Sequence, residues 1–482
     1  MPEDSPYLTV VVASRNDDHG GNLLHRMQIF VDGLFEQCRR HHLDAELILV
    51  EWNPPPGRPR LAQALRWPAG PQPCTVRIIE VPPKIHARFR HSDSLPLFQM
   101  MAKNVGIRRA RGRFVLGTNI DILFSDGLMA RLARRDLAED RLYRVDRYDV
   151  PEDVPAGTPV TQKLAYCRKN TIRINRREGT YHPLTGDLDR IYAPRALVLL
   201  RALSVTLFLP VMALHFPRFT LSRIRDPWKG RRPLSGVRRF MRLRRRRVGR
   251  QFFAVPNVLP VMVLWLPSTS LIRRIKRSWK RRRLLRGVRR FIRLQRRRLG
   301  GGLLATALIV LKVAGVAVKI YMRAVRASWR AAVFEFRRGR LHTNACGDFT
   351  LLARERWFDL RGYAEFEMYS FHIDSLLCHA AARSGLREEV LKDPARIYHV
   401  EHSEGSGFTP DGQHKLWARM DSSGIPRLGD REFWDTVIAM RRGRRPVRFN
   451  DEGWGLAGHD LPETDPLVDG ADSPVSRPLR LG

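Results

Sequence analysis

Short apolar runs alternate with helical patterns over the first 150 residues. Leu8–Ala13 is a continuous apolar run, which is typical of a strand buried on both faces. The apolar residues between Leu23 and Cys38 then recur at helical spacing. The same alternation predicts strands at Ala45–Val50, Val76–Val81, Phe114–Gly117 and Leu142–Val145, with a helix over 95–109. Strands that alternate with helices predict an α/β fold with a parallel-rich sheet flanked by helices.

The α/β pattern stops near residue 190 and resumes near Phe334. The later part predicts a strand at Asp348–Ala353, a helix at Ile373–Ser384 and a strand at Arg396–Val400. Beyond Asn450 the chain is rich in Gly, Pro and acidic residues, which predicts a disordered tail. We therefore divide the chain into a first α/β half (1–190), an insert (191–333), a second α/β half (334–450) and an acidic tail (451–482).

The insert joins apolar segments to arginine-rich ones. The apolar segments are Ala196–Phe216, Phe252–Pro267 and Leu303–Ile320, and proline or charged residues interrupt the first and the last. Trp228–Gly249 matches Trp279–Gly300 at 16 of 22 positions, which indicates a local duplication. These interruptions suit helices in the plane of a membrane better than helices that cross it.

The insert also carries nearly all of the protein's charge. The chain of 482 residues has a formal net charge of +38, and residues 218–340 contribute +35 of it. So basic a segment predicts an anionic partner. We favour an anionic membrane surface that binds residues 196–333, because the arginines accompany apolar stripes and Trp228 and Trp279 suit an interface. Nucleic acid and a covered or solvated helical insert are the alternatives.

Cysteine usage and the N-terminus bear on the compartment. Five widely spaced cysteines without a CxxC pair indicate neither a disulfide framework nor a zinc ribbon. The first residues are acidic and lack the pattern of a signal peptide. We expect a cytoplasmic protein, peripheral or monotopic at the inner face of the cell membrane.

Polar clusters follow three of the predicted strands. Arg15, Asn16 and Asp17 follow the first strand, Glu51 closes the second, and Asn119–Asp121 follow the fourth. Ligands of parallel α/β sheets bind at the carboxyl ends of the strands. This placement predicts a ligand site at that edge of the sheet.

Several motifs, taken in order, resemble a known family. They are Val10–Asn16, the run Asn104–Ile107 followed by Ala110–Leu116, Asn119–Asp121, and Arg361–Glu365 through His372–Asp374. Together they resemble the inverting GT-A glycosyltransferases of the family-2-like class. The third motif stands where those enzymes have Asp-x-Asp, and here the first residue is Asn119. The resemblance implies a GT-A-like, Rossmann-like fold with a mostly parallel mixed sheet.

The resemblance also implies an activity and a set of site residues. The enzyme would transfer a sugar from a nucleotide-sugar donor to a lipid-linked or cell-surface glycan, with inversion. The resemblance implies that the donor is bound by Arg15, Asn16, Asp17, Glu51 and Asn104. It implies that Mn²⁺ or Mg²⁺ is bound by Asn119, Asp121 and His399, with His402 as the alternate metal ligand, and that Asp374 is the catalytic base. It also implies a pocket that is lined by Gly347, Asp348, Glu365 and His402. A cation would stabilise the leaving diphosphate, and a carboxylate would accept the acceptor's hydroxyl proton.

Each of these assignments has a structural alternative. Asn119 and Asp121 also suit a turn that closes a strand, and Asp374 also suits a helix cap. His399 suits a buried structural histidine equally well. Two other functions remain open for the whole chain: a non-catalytic module of the same fold that binds nucleotide-sugar or membrane, and a nucleic-acid-associated protein.

Overall fold

The protein is described here from a computed structural model that covers residues 5–207, 303–337, 340–402, 418, 420–444 and 447–468. The chain divides into two compact units. The first consists of Met1–Tyr192 with Arg338–Gly482, and the second is Ala193–Arg337. The duplicated arginine-rich segments and the predicted apolar segment Phe252–Pro267 lie outside the described residues.

The first unit is an α/β structure built on one twelve-stranded mixed sheet. Its strands are β1 (Leu8–Ser14), β2 (Ala45–Trp52), β3 (Cys74–Val81), β4 (Phe114–Thr118), β5 (Ile122–Phe124), β6 (Arg141–Val150), β7 (Arg173–Arg176), β8 (Gly179–Tyr181), β9 (Leu188–Arg190), β10 (Phe349–Ala353), β11 (Arg387–Val400) and β12 (Glu463–Thr464). The helices of this unit are α1 (Leu23–His41), α2 (Leu61–Ala64), α3 (Pro83–His86), α4 (Gln99–Arg109), α5 (Asp126–Ala133), α6 (Val160–Lys169), α9 (Arg354–Leu360), α10 (Ile373–Arg383) and α11 (Asp430–Arg441).

Four parallel strands form the centre of the sheet. The strand order is β12-β3-β2-β1-β4-β10-β6-β7-β8-β9, and β11 pairs with both β5 and β6. Strands β3, β2, β1 and β4 run parallel, whereas β10 is antiparallel to both β4 and β6. The predicted α/β class, with mostly parallel central strands flanked by helices, is confirmed. β6 and β11 are longer than predicted, which proves important for the site.

Alternate residues of the central strands pack into different hydrophobic clusters. On β1, Val10 and Val12 belong to one cluster, while Val11 and Ala13 belong to the other. Residues of α1 and α5 cover the first face, and residues of α4, α9 and α10 cover the second. Successive strand side chains point to opposite faces, so a strand covered on both sides must be apolar throughout. This explains why the central strands read as uninterrupted apolar runs.

The C-terminal segment corrects one prediction. Residues 451–468 were expected to be disordered, but Trp454 is buried and β12 pairs with the edge of β3. The Arg109 guanidinium donates to the carbonyl oxygens of Gly455, Leu456 and His459 at 2.8–3.0 Å. The prediction of disorder from composition was wrong for residues 451–468, because a few anchored groups suffice to order a chain that is rich in Gly, Pro and Asp. Residues 469–482 lie outside the described part.

The described part of the second unit consists of two helices, α7 (195–207) and α8 (Leu303–Arg337). α7 covers part of the predicted apolar segment Ala196–Phe216, and α8 extends the segment Leu303–Ile320 by 17 residues. Among the helices that the structure describes, none has the length and apolar character needed to cross a membrane.

Candidate functional site

Two histidines meet Asp121 where β4 ends and β11 returns. His399 Nε2 lies 3.5 Å from Asp121 Oδ2, and His402 Nε2 lies 3.6 Å from the same oxygen. All three side chains are largely withdrawn from solvent. His399 reaches this position because β11 pairs with β5, where His399 lies opposite Ile122. The structure thus brings together Asp121, His399 and His402, three of the side chains predicted from the sequence.

The other ring nitrogen of His399 faces a buried acidic group. His399 Nδ1 lies 3.5 Å from Asp149 Oδ1, and His399 and Asp149 are paired across β11 and β6. Asp149 is fully buried and also accepts hydrogen bonds from Arg173 Nε at 2.7 Å and Asn175 Nδ2 at 2.9 Å. Glu401 contacts both Arg173 and the same nitrogen of His399. His399 is therefore held between two carboxylates on opposite edges of its ring.

The charges of this cluster are strongly coupled. Burial alone would lower the pKa of His399, but the Asp121 and Asp149 carboxylates raise it to about 9. Burial would raise the pKa of Asp121, but His399, His402 and Arg26 hold it well below its usual range. Burial lowers the pKa of His402 to about 4, although the Asp121 carboxylate acts to raise it. At neutral pH the cluster thus presents an ionised Asp121, a protonated His399 and a neutral His402. A cation would have to displace the Nε2 proton of His399 to bind there.

The loop after β1 approaches the same cluster. The His19 and His402 rings lie 6.0 Å apart, and a Cβ atom on Gly20 would stand 2.6 Å from His402 Nδ1. Gly20 also has a φ of 75°, so this position favours glycine both sterically and conformationally. Arg26 donates to the carbonyl oxygens of Gly21 and His19, which anchors the loop to α1.

Asn119 does not join the Asp121 cluster directly. Its Nδ2 donates to Asp348 Oδ1 at 2.5 Å, and its Oδ1 accepts from Gln99 Nε2 at 3.0 Å. The other Asp348 oxygen pairs with Arg147 at 2.5 Å, and Arg147 also pairs with Asp149 at 2.8 Å. A chain of contacts thus leads from Asn119 through Asp348, Arg147 and Asp149 to the cluster. Both polar atoms of the Asn119 amide are engaged with protein groups, so its assignment as a metal ligand stays a prediction.

A buried lysine contacts the backbone of the predicted pocket. Lys103 Nζ donates to the Gly347 carbonyl oxygen at 2.7 Å. Burial lowers the pKa of Lys103 to about 8, although Asp348, Asp374 and Asp121 each oppose that shift. Asp374 lies in the first turn of α10, where its Oδ1 accepts from the Ser375 N–H at 2.7 Å. A Cβ on Gly347 would lie 3.1 Å from Asp374 Oδ2, so the backbone of Gly347 passes close to that oxygen.

The predicted donor-binding residues divide into two groups. Arg15, Asn16 and Asp17 lie in the loop after β1, where Arg15 Nε is 3.4 Å from Asp17 Oδ2 and Asn16 Nδ2 donates to the Pro59 carbonyl at 2.9 Å. Glu51, by contrast, is buried, and both of its oxygens accept from the Leu61 N–H at 3.1–3.2 Å. Burial raises the pKa of Glu51 to about 7.

Asn104 and Glu365 belong to a structural network instead of an open pocket. The fully buried Asn104 amide exchanges hydrogen bonds with the backbone of Tyr363 at 2.8 Å and donates to Glu365 Oε1 at 2.9 Å. Glu365 Oε1 also accepts from the Gly455 N–H at 2.8 Å. These contacts fasten α4 to the C-terminal segment. The sequence pattern alone gave no indication of that partner.

The three side chains around Asp121 suit a divalent cation by their chemistry. Asp121, His399 and His402 offer one ligand atom each, all within 4.8 Å of one another. Asp121 Oδ1 and His402 Nδ1 are buried without a hydrogen-bond partner among the described residues. A donor set of one carboxylate and two imidazoles suits Mn²⁺ better than Mg²⁺, which prefers oxygen ligands. The residues present therefore fit the predicted metal.

Sequence reasoning missed Arg147, Asp149 and Lys103. The first two lie beyond the predicted strand Leu142–Val145, on the part of β6 that the apolar pattern did not include. Their spacing of two residues, which places both on one face of a strand, was the available signal. Lys103 had no local signal, since a lysine on a helix is usually solvated.

A comparison of the chain with protein-family models and with curated proteins finds no match.

Proposed function

We propose that the protein is an inverting, Mn²⁺-assisted glycosyltransferase of GT-A type that uses a nucleotide-sugar donor and a lipid-linked or cell-surface glycan acceptor. The observation that carries the proposal is the convergence of Asp121, His399 and His402 at the carboxyl edge of a parallel sheet, beside the loop after β1. The parallel core β3-β2-β1-β4, continued by antiparallel β10, supports the Rossmann-like architecture that the resemblance implies.

Asp121, His399 and His402 would hold the cation, which supplies positive charge to the leaving diphosphate when bound. Arg15, in the loop after β1, would contact the nucleotide, and backbone N–H groups of that loop would face its phosphates. Asp374 would accept the acceptor's hydroxyl proton through Oδ2, because Oδ1 is already occupied by the Ser375 N–H. The Lys103 ammonium would partly offset the negative charges of Asp348, Asp374 and Asp121, which oppose the lowering of its pKa by burial.

The test is turnover of a panel of nucleotide sugars by the full chain with Mn²⁺ and membrane lipids, measured as release of nucleoside diphosphate. We expect one donor to be turned over, and we expect Asp374→Asn to lower kcat by about 10²–10⁴. Asp359→Asn, on a surface carboxylate that pairs with Arg356, is the matched control and should behave as wild type.

Two outcomes would contradict the proposal. Nucleotide binding by calorimetry without turnover or Mn²⁺ enhancement would favour a non-catalytic module of the same fold. Equal rates for wild type and Asp374→Asn would show that Asp374 is not the catalytic base.

A further inference from the structure

The described part of the second unit exposes an unusual amount of apolar surface. Sixteen large apolar side chains are exposed among the described residues of the chain, and twelve of them belong to α7 and α8. Leu311 is 67% exposed and Ile320 is 62% exposed. Soluble surfaces rarely concentrate apolar side chains in this way, so such a patch indicates an interaction surface.

The contact between α7 and α8 uses small residues. Val198 and Ala202 of α7 pack on Ala332 of α8, and Trp329 Nε1 donates to Thr206 Oγ1 at 2.9 Å. Leu200, Leu203 and Leu207 of α7 remain exposed. The two helices therefore bury their small side chains and present their large ones outwards.

Most exposed basic and apolar side chains of α8 form two neighbouring stripes, while Val316 and Ile320 lie on the other side of the basic stripe. Lys319, Arg323, Arg326 and Arg330 are exposed and follow one another at spacings of four, three and four residues, which places them on one face. Exposed apolar residues precede three of these basic residues directly, at Val318, Met322 and Trp329. One residue is a rotation of about 100° in a helix, so the apolar stripe lies beside the basic one.

We propose that α7 and α8 bind an anionic lipid surface, with α8 lying in its plane. In that orientation the apolar stripe enters the boundary of the acyl chains, while the neighbouring Lys and Arg side chains extend to the phosphate groups. The inference does not depend on glycosyl transfer, because it uses only residues of the second unit.

Charge selects this partner among the possible ones. Residues 193–337 carry 37 Lys and Arg against two acidic residues. A second copy of the unit would bring a basic stripe against a basic stripe. Residues 208–302 of the same chain, with 29 Lys and Arg and one acidic residue, would do the same. Nucleic acid would match the charge, but its phosphate backbone offers nothing to the apolar stripe.

Spin labels on single introduced cysteines test the orientation in the full chain. The five native cysteines are buried, so labels will report on the introduced positions. Val318→Cys and Met322→Cys probe the apolar stripe, Arg323→Cys and Arg330→Cys probe the basic stripe, and Leu184→Cys in the first unit is the exposed control. Oxygen accessibility is measured with vesicles that contain phosphatidylglycerol, with phosphatidylcholine vesicles and without lipid.

With anionic vesicles we expect oxygen accessibility to rise several-fold at positions 318 and 322, with little change at 323 and 330 and none at 184. Three results would each overturn the proposal. The first is equal accessibility with and without vesicles. The second is protection of positions 318 and 322 already without lipid, which would indicate cover by the same chain. The third is protection that depends on protein concentration, which would indicate a second copy. Preferential binding of RNA or DNA that abolishes vesicle binding equally overturns it.

Vesicle flotation tests the role of charge. Arg323→Gln, Arg326→Gln and Arg330→Gln together should lower partitioning onto phosphatidylglycerol vesicles, by up to about fivefold for each charge removed. The control set Arg58→Gln, Lys84→Gln and Arg134→Gln removes three exposed charges from the first unit and should leave partitioning unchanged. Equal loss in the two sets would assign the binding to net charge alone and overturn the role of the stripe.

Discussion

Asn119 illustrates how one side chain can be fixed by its neighbour. Its amide group donates to Asp348 Oδ1, and the other Asp348 oxygen pairs with Arg147. A carboxylate at position 119 would place two negative charges in contact at this partly buried position. The asparagine is therefore explained by Asp348, and restoring the Asp-x-Asp pattern should harm the protein.

We expect Asn119→Asp to lower the free energy of unfolding by about 1–3 kcal/mol, because a partly buried hydrogen bond is replaced by repulsion. Chemical denaturation measures the change. In an Asp348→Asn background the same substitution should cost less, because the amide of residue 348 can donate to the new carboxylate. An equal cost in both backgrounds would refute the explanation.

Asp149 is expected to position His399 for the cation. Carboxylates that contact the second nitrogen of a metal-binding histidine typically contribute a factor of about 10–100 in metal affinity. Asp149→Asn should therefore weaken Mn²⁺ binding by that factor, as measured by electron paramagnetic resonance without nucleotide sugar.

The matched control for Asp149→Asn is Glu46→Gln. Glu46 is also a buried strand carboxylate, with Arg77 at 2.9 Å and Thr9 at 2.7 Å. Its substitution should lower stability without changing Mn²⁺ affinity. Equal losses of affinity in the two variants would reduce Asp149 to a purely structural role.

Glu51 should make stability depend on pH. Burial raises its pKa from 4.5 to about 7 in the folded state, so the folded protein binds this proton more tightly than the unfolded chain. Its contribution to stability is therefore present below about pH 4.5, is lost between pH 4.5 and 7, and stays lost above pH 7. The free energy of unfolding of wild type relative to Glu51→Gln should fall by about 3 kcal/mol across that window. A pH-independent difference in denaturation experiments would contradict this.

At the scale of elements, the C-terminal segment acts as a clamp on α4 and α9. Trp454 packs against Phe358 with ring centroids 5.4 Å apart, and the Arg108 guanidinium lies 5.0 Å from its ring. Trp454→Ala should therefore lower the free energy of unfolding by about 3–5 kcal/mol. Val468→Ala, at an exposed position of the same segment, should have little effect in the same measurement. Similar stabilities for the two variants would show that the segment is dispensable.

The lengths of β6 and β11 mark the limit of prediction at this scale. The apolar pattern predicted Leu142–Val145 and Arg396–Val400, yet the strands span Arg141–Val150 and Arg387–Val400. The extra residues include Arg147 and Asp149, whose charges are compensated by partners on β7, β11 and the turn before β10. Apolar periodicity cannot detect a strand whose buried positions hold paired charges.

At the scale of the molecule, the first unit contains the whole described sheet, and a hydrogen bond within this unit joins the two chain segments that flank residues 193–337. Tyr192 Oη donates to the Leu341 carbonyl oxygen at 2.7 Å, so the chain before residue 193 and the chain after residue 337 are in contact within the first unit. Replacing residues 193–337 by a short glycine–serine linker should preserve the fold and the melting temperature to within a few degrees. Circular dichroism and calorimetry measure this, and a chain that no longer unfolds cooperatively would contradict it.

The sequence by itself determined the α/β class and the segregation of charge. A strand covered on both faces must be apolar, and a segment with +35 of the net charge is visible without coordinates. The sequence motifs also predicted Asp121, His399 and His402 as site residues. Only the tertiary structure decided that these three side chains lie together and that Asn104 and Glu365 fasten the C-terminal segment to α4. It also decided that Asp149 contacts His399 Nδ1. Those contacts join residues up to 281 positions apart through the order and register of strands, which local periodicity does not encode.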